Sequence, residues 1–186
     1  METYMSKKLI ESKVTKLCRT RPCMIITTLH ANGIVNAGTF GAYTNVGPQE
    51  IAIAIGKLSH TYQNIKRTGE FVINIPHIDN AKTLERCAIK TPPTESELDH
   101  AGMTTEPAVK IKTPLIKECV ANIECQYWKE LDVGSHMLVV AKVICGHLEE
   151  EYLDVDGSID VIKAQVPFGI RHPDPVYATL NNATKV

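Results

Sequence analysis

Residues 36–76 read NAGTFGAYTNVGPQEIAIAIGKLSHTYQNIKRTGEFVINIP, and the rest of the chain takes its meaning from them. The small-residue segment Ala37 to Tyr43 leads through a Gly47-Pro48 turn into Glu50 to Ile55 (EIAIAI), an apolar run of strand length. Lys57-Leu58-Ser59-His60-Thr61 follows, with Asn64 one turn further on. Ser59 or Thr61 can cap a helix there and Gly69 can close it. Glu70 to Ile75 (EFVINI) is a second apolar strand, stopped by Pro76. Loop, strand, short helix, strand: this order sets amides, hydroxyls and a lysine where a flat phosphorylated ligand can lie.

Each half of the stretch has two readings. A helix N-terminus presents unpaired N–H groups and a positive dipole end, so it favours anions. Ser59 and Thr61 add hydroxyls, and Lys57 adds a full charge. An ordinary capped helix explains Ser59 equally well. The small residues of the Asn36 to Thr44 loop let its amides meet the edge of a planar heterocycle, or let two strands cross tightly.

Upstream, Lys7 to Leu17 reads as a short helix or an irregular arm, broken by Pro22. Cys23 to His30 (CMIITTLH) is rich in β-branched residues and reads as a strand. Asn32-Gly33 before Ile34-Val35 predicts a hairpin in which both turn residues take positive φ. Downstream, Asn80 to Ile89 reads as helical, ended by Pro92-Pro93. Thr94 to Glu97 matches a capping box for a helix that stops near Gly102. Met103 to Glu118 is extended, with Pro107 and Pro114 marking an edge or a surface crossing. Cys119 to Tyr127 alternates as a half-buried strand does. Asp132-Val133-Gly134 turns into the apolar strand His136 to Cys145. From Gly157 the chain is richer in proline (Pro167, Pro173, Pro175) and runs over the surface or towards a partner subunit. Many strands with brief helices predict one mainly β domain over 1–186, an antiparallel barrel.

A net charge of −1 gives no basic excess, so nothing in the balance points to nucleic acid or an anionic membrane, and neither is expected as a partner. The opening METYMSKKLIESKVTKL has no long apolar run, so no signal peptide or membrane anchor is expected and the cytoplasm is the expected location. The six cysteines, Cys18, Cys23, Cys87, Cys119, Cys125 and Cys145, then read as reduced thiols. Cys87, on a helix, is either a redox thiol or a buried, idle one. His30, His77, His100, His147 and His172 are scattered without metal-ligand spacing, so no metal is expected. The segment from Asp154 to Asp160 lacks the spacing of a calcium loop and reads as a solvated turn. GxSxG, P-loop and GxGxxG motifs are absent, which removes a nucleophilic hydrolase and a Rossmann domain.

The segment NAGTFGAYTNV followed by EIAIAIGKLSHTYQNIKRTGEFVINIP resembles the flavin reductase-like proteins with the FMN-binding split-barrel fold, flavoredoxins among them. The resemblance continues through TESELDHAGMT, PLIKECVANIECQYW, GSHMLVVAKV and YLDVDGSIDV, from Cys23 to Tyr177. It implies a six-stranded antiparallel Greek-key barrel and a homodimer with FMN near the interface. By position, Asn36, Thr39, Gly41, Ala42, Tyr43 and Thr44 would line the flavin ring and its ribityl chain. Lys57, Ser59, His60, Thr61 and Asn64 would hold the phosphate. Reductases of this family often carry Gly-Asp-His near the nicotinamide; here it is Gly134-Ser135-His136, which leaves His136 and Tyr177 as nicotinamide-site candidates. The flavin N5, with no side-chain base, would carry the chemistry. The implied function is electron transfer as an NAD(P)H-dependent flavin or ferric reductase, with NADH or NADPH as substrate. The alternatives are a flavoredoxin-type carrier serving a redox protein, and a non-catalytic flavin-binding module.

Overall fold

Seven segments pair into one curled antiparallel sheet. They are β1 (Met24–Leu29), β2 (Val35–Phe40), β3 (Tyr43–Asn45), β4 (Glu50–Gly56), β5 (Glu70–Pro76), β6 (Cys119–Asp132) and β7 (His136–Leu148). The computed structural model describes residues 7–18, 20–171 and 174–183; His172 and Pro173 lie outside them. The strand order is β2-β1-β5-β6-β7-β4-β3. Within it β4 lies beside β7 and not beside β5, the Greek-key arrangement. The resemblance implied six strands. The seventh is β3, three residues of the small-residue loop that pair with β4.

The concave face holds the main core, with Met24, Ile26, Ile53, Phe71, Ile73, Cys125 and Val139 all fully buried or nearly so. A second core, including Ile25, Ala37, Leu84 and Leu98, packs helices α2 (Ala81–Cys87) and α3 (Glu97–Ala101) on the other face of β1 and β2. Helix α1 (His60–Thr68) connects β4 to β5 and buries Ile65. Its boundaries are those the sequence predicts. Ser59 is the N-cap, and Gly69 closes the helix at φ +75°, a conformation that favours glycine.

Three local expectations change. The Asn32-Gly33 hairpin forms, but only Gly33 has positive φ (+84°). Gly33 N–H donates to the His30 carbonyl and His30 N–H to the Ile34 carbonyl, so the loop has three residues. The Asn32 side chain fixes it, accepting from Ile34 N–H and donating to the Pro93 carbonyl. Helix α3 is capped by Ser96, not Thr94, and Glu97 turns inward instead of closing a capping box. Strand β6 is buried on both faces over its first half, not one. The 103–118 segment crosses its outer face and gives Val109, Lys110 and Ile111 N–H groups to the fully buried Glu124. Alternation alone cannot foresee a cover supplied by another part of the chain.

The proline-rich end returns to the start of the sheet. Phe168–Arg171 pairs with both Arg21–Pro22 and Val176–Ala178. The 154–160 segment is a surface turn in which Asp156 accepts the Ser158 N–H and hydroxyl.

Candidate functional site

Strand β2 carries the site, and it is held from both sides. Asn36, buried to 3% exposure, donates its amide to the hydroxyls of Thr28 on β1 and Thr61 on α1, each at 3.1 Å. Asn64 donates to the same Thr28 hydroxyl and contacts His30 Nδ1 at 3.3 Å. These side chains fasten the first turns of α1 onto the β1–β2 hairpin. The His30 ring meets His60 edge-on at 5.1 Å. Burial, and then the neighbouring His60, lower the pKa of His30. On the opposite face, the Ala37 N–H donates to Glu97 at 2.8 Å and the Thr39 hydroxyl to the Leu84 carbonyl.

The glycine between those contacts leaves room. A Cβ on Gly38 would lie 3.0 Å from the Phe40 ring and 3.1 Å from the Thr61 hydroxyl. The space is part of a cleft of about 210 Å³ between the backbone of β2 and the Ser59-His60-Thr61 turn, with Cys87 and Lys90 on its far wall. A second cleft, of about 410 Å³, shares Thr39, Phe40 and Ala88 with the first and continues past Gly41 to Arg21, Glu85 and Tyr177. A third, of about 390 Å³, shares Arg21 and Gly41 with the second and follows Ala42, Tyr43 and Thr44. Together they follow one strand from the N-terminus of α1 to β3.

The groove is positive at its α1 end. The first helical amides have no intrahelical acceptor. Ser59 is committed to the turn: its hydroxyl donates to the Gly56 carbonyl at 2.8 Å and accepts from Tyr62 N–H. The amides of His60 and Thr61, in the first helical turn, lie where the chain borders the cleft. Burial disfavours the thiolate form of the thiols on the walls. Burial, with Glu97 nearby, pushes Cys87 up to about 12, and burial also raises Cys23. Burial pushes the Tyr43 phenol up to about 12. The Tyr177 phenol is raised by burial and by its hydrogen bond to Glu85.

Asn36, Thr39, Gly41, Ala42, Tyr43 and Thr44 all border the three clefts, and so do Ser59, His60, Thr61 and Tyr177. Lys57 and Asn64 do not. Lys57 is ion-paired with Asp132 at 2.6 Å, and Asn64 serves the hairpin network. His136 is exposed, sits opposite Gly56 in the β4–β7 pairing, and contacts the Ser135 hydroxyl through Nδ1. It therefore lies on the Lys57 side, away from Tyr177. Arg21, Glu85 and Glu97 belong to the site without having been expected. No pattern marks Arg21 or Glu85, and Glu97 carries a helix-start pattern that hides its inward role.

The family model for the Flavin reductase like domain matches residues 18–162. An uncharacterized protein of Archaeoglobus fulgidus is 33% identical over 114 residues, 61% of this chain and 63% of that protein. The match thus spans under two thirds of that relative. Among solved structures, flavoredoxin from Methanosarcina acetivorans superposes with TM-score 0.83 at 24% identity, covering 97% of this chain and 95% of that one. A Shewanella frigidimarina protein with a split barrel domain gives TM-score 0.84 at 18% identity, covering 95% and 93%. Among the described residues, no helix is long and apolar enough to cross a membrane.

Proposed function

This chain belongs to the family of flavin reductase like domains, with their split-barrel fold, and from that premise we propose that it binds FMN in the β2 groove and works as an NAD(P)H-dependent flavin or ferric reductase-like oxidoreductase. The observation that carries the reading is the joined set of clefts along one strand, with a helix N-terminus at one end and small residues along the rest.

The residues present fit such a ligand. The space that a Cβ at Gly38 would fill lies between β2 and α1, at the end where the helix dipole favours a phosphate. There the His60 and Thr61 amides would hold the phosphate, while Ser59 keeps the turn in shape. The Thr61 hydroxyl accepts from Asn36 and so has its own hydrogen to donate. Lys57 would add its charge only by leaving Asp132. The backbone from Thr39 to Thr44 would line the ring. Bound flavin would supply the redox chemistry, taking up and passing on electrons. The chain's part is to hold the ring, orient it and keep the Cys87 and Cys23 thiols protonated beside it. We infer a homodimer in the cytoplasm as its working form; a monomer in size-exclusion chromatography with light scattering would refute the dimer.

A second reading, an electron carrier for a redox protein, is favoured by Ser135, which contacts His136 and stands where the family often has an aspartate. The purified protein should be yellow and release FMN on denaturation. A colourless chain that takes up no flavin would overturn the proposal. Anaerobic stopped-flow mixing with NADH and with NADPH should bleach the flavin. If neither does, the carrier reading replaces the reductase.

A further inference from the structure

The outer face of the β6–β7 hairpin holds a set of side chains that the flavin groove does not use: Glu124, Cys145 and His147. A β-bulge creates it. Val143 pairs with Cys125, but Cys145 pairs with Glu124, so Ile144 is the extra residue. Cys125 points into the main core. Without the bulge Cys145 would follow Val143 towards that core. With it, Cys145 turns to the face of Glu124, and His147, two residues on, joins it. Bulges are often found where a strand must re-aim a side chain.

The three donor atoms are close. His147 Nε2 lies 2.8 Å from Glu124 Oε1 and 3.9 Å from Cys145 Sγ, and all three lie within 4.8 Å of one another. Neighbouring ligands of a tetrahedral zinc stand about 3.3–3.8 Å apart, from bond lengths of about 2.0–2.3 Å. The carboxylate is fully buried and fixed. Val109 N–H binds Oε1, and Lys110 and Ile111 N–H bind Oε2. That is the outer-shell support that orients a metal-binding carboxylate. Cys145 and His147 are only half-buried, so solvent reaches the open side of the set.

We propose that Glu124, Cys145 and His147 bind one divalent transition-metal ion of the zinc class, with water in the fourth position. Thiolate, imidazole and carboxylate together suit a borderline ion such as Zn²⁺ better than Mg²⁺ or Ca²⁺, which prefer oxygen donors. On binding, the Cys145 thiol releases its proton to solvent. The imidazole binds the ion as its neutral Nδ1–H tautomer, with the Nε2 lone pair taking the place of the contact to Glu124. A buried carboxylate stapling the 103–118 crossing would account for Glu124 alone. It gives no reason for a bulge that brings a thiol and an imidazole to the same oxygen.

The test uses the full chain, stripped with a chelator, kept in a non-thiol reductant and titrated with CoCl₂. Spectra are read as the difference from metal-free protein of equal flavin content. One equivalent should produce a thiolate-to-cobalt charge-transfer band and the intense visible bands of a tetrahedral site, and ZnCl₂ should bleach both. Cys145→Ser should abolish the charge-transfer band, and His147→Asn should weaken zinc binding at least 10-fold in a competition assay. Both positions are partly exposed, so both variants should keep the wild-type circular dichroism. Glu124 is left intact because three amides depend on it. The proposal is overturned if wild-type chain gives no charge-transfer band, or if the band survives Cys145→Ser and another thiol is therefore the ligand.

Discussion

Gly38 is the residue on which the site is most exposed to a single change. With 3.0 Å to the Phe40 ring and 3.1 Å to Thr61, an added methyl requires both side chains to give by a few tenths of an ångström. Gly38→Ala is expected to cost about 1–2 kcal/mol of stability, typical of overpacking, and to weaken FMN uptake; urea denaturation and flavin titration measure the two effects separately. Thr61→Ala should lose about 1.5–3 kcal/mol of FMN affinity, the worth of a hydrogen bond to a charged group. An unchanged dissociation constant would put the phosphate elsewhere. Lys57→Met should leave stability almost unchanged, because its partner Asp132 is largely exposed. If Lys57 also reaches the phosphate, the variant's affinity falls and becomes less sensitive to salt. The sequence made Ser59, Thr61 and the small residues legible because capping and close approach are local properties. It did not show that Asn36 and Asn64 spend their amides on Thr28, since that contact needs the β1–β2 pairing.

Among the elements, α1 and the stop of α3 at Gly102 were readable from the sequence, and the bracing role of α3 was not. The cap and closing glycine of α1 lie within its own segment. The role of α3 depends on a strand 60 residues earlier, where Glu97 takes the Ala37 N–H while also accepting the Thr91 hydroxyl. That pair of bonds ties the helix to the middle of β2. Glu97→Ala should therefore destabilise the fold by about 2 kcal/mol, because it leaves a buried amide without an acceptor. It should also speed hydrogen exchange at Ala37, which nuclear magnetic resonance can follow; an unaltered exchange rate would mean that α3 does not brace β2. Strand β6 teaches a similar lesson. Its alternation is real, but the partner that buries its polar face is the 103–118 crossing.

At the scale of the molecule, Glu124 links the sheet to that crossing and sets its response to acid. Burial raises its carboxyl pKa, but the Val109 and Lys110 amides and His147 outweigh burial and hold it at about 2, against an ordinary 4.5. The folded value is the lower one, so the stabilisation is complete above about 4.5 and is lost as the pH falls towards 2. Glu124→Gln should be less stable at pH 7 by about 3 kcal/mol, the equivalent of that difference. Its deficit should shrink between pH 4.5 and 2; a constant deficit across acid denaturation curves would contradict this. The two edge strands, β2 and β3, stand at opposite ends of the sheet order yet are joined by Gly41 and Ala42 alone. Phe40 and Tyr43 can be no more than about 11 Å apart along that link, and the groove opens beside it. Refolding then has a time order. The β6–β7 hairpin is local in sequence, and it carries the single tryptophan, Trp128, with Lys142 of β7 over its ring. The Gly41-Ala42 link keeps the two edges adjacent at every stage, but the walls of the groove need the long-range β4–β7 and β5–β6 pairings, so the groove should form after the local hairpin. In stopped-flow refolding, Trp128 emission should recover before FMN is captured; simultaneous recovery would mean that hairpin and groove form in a single step.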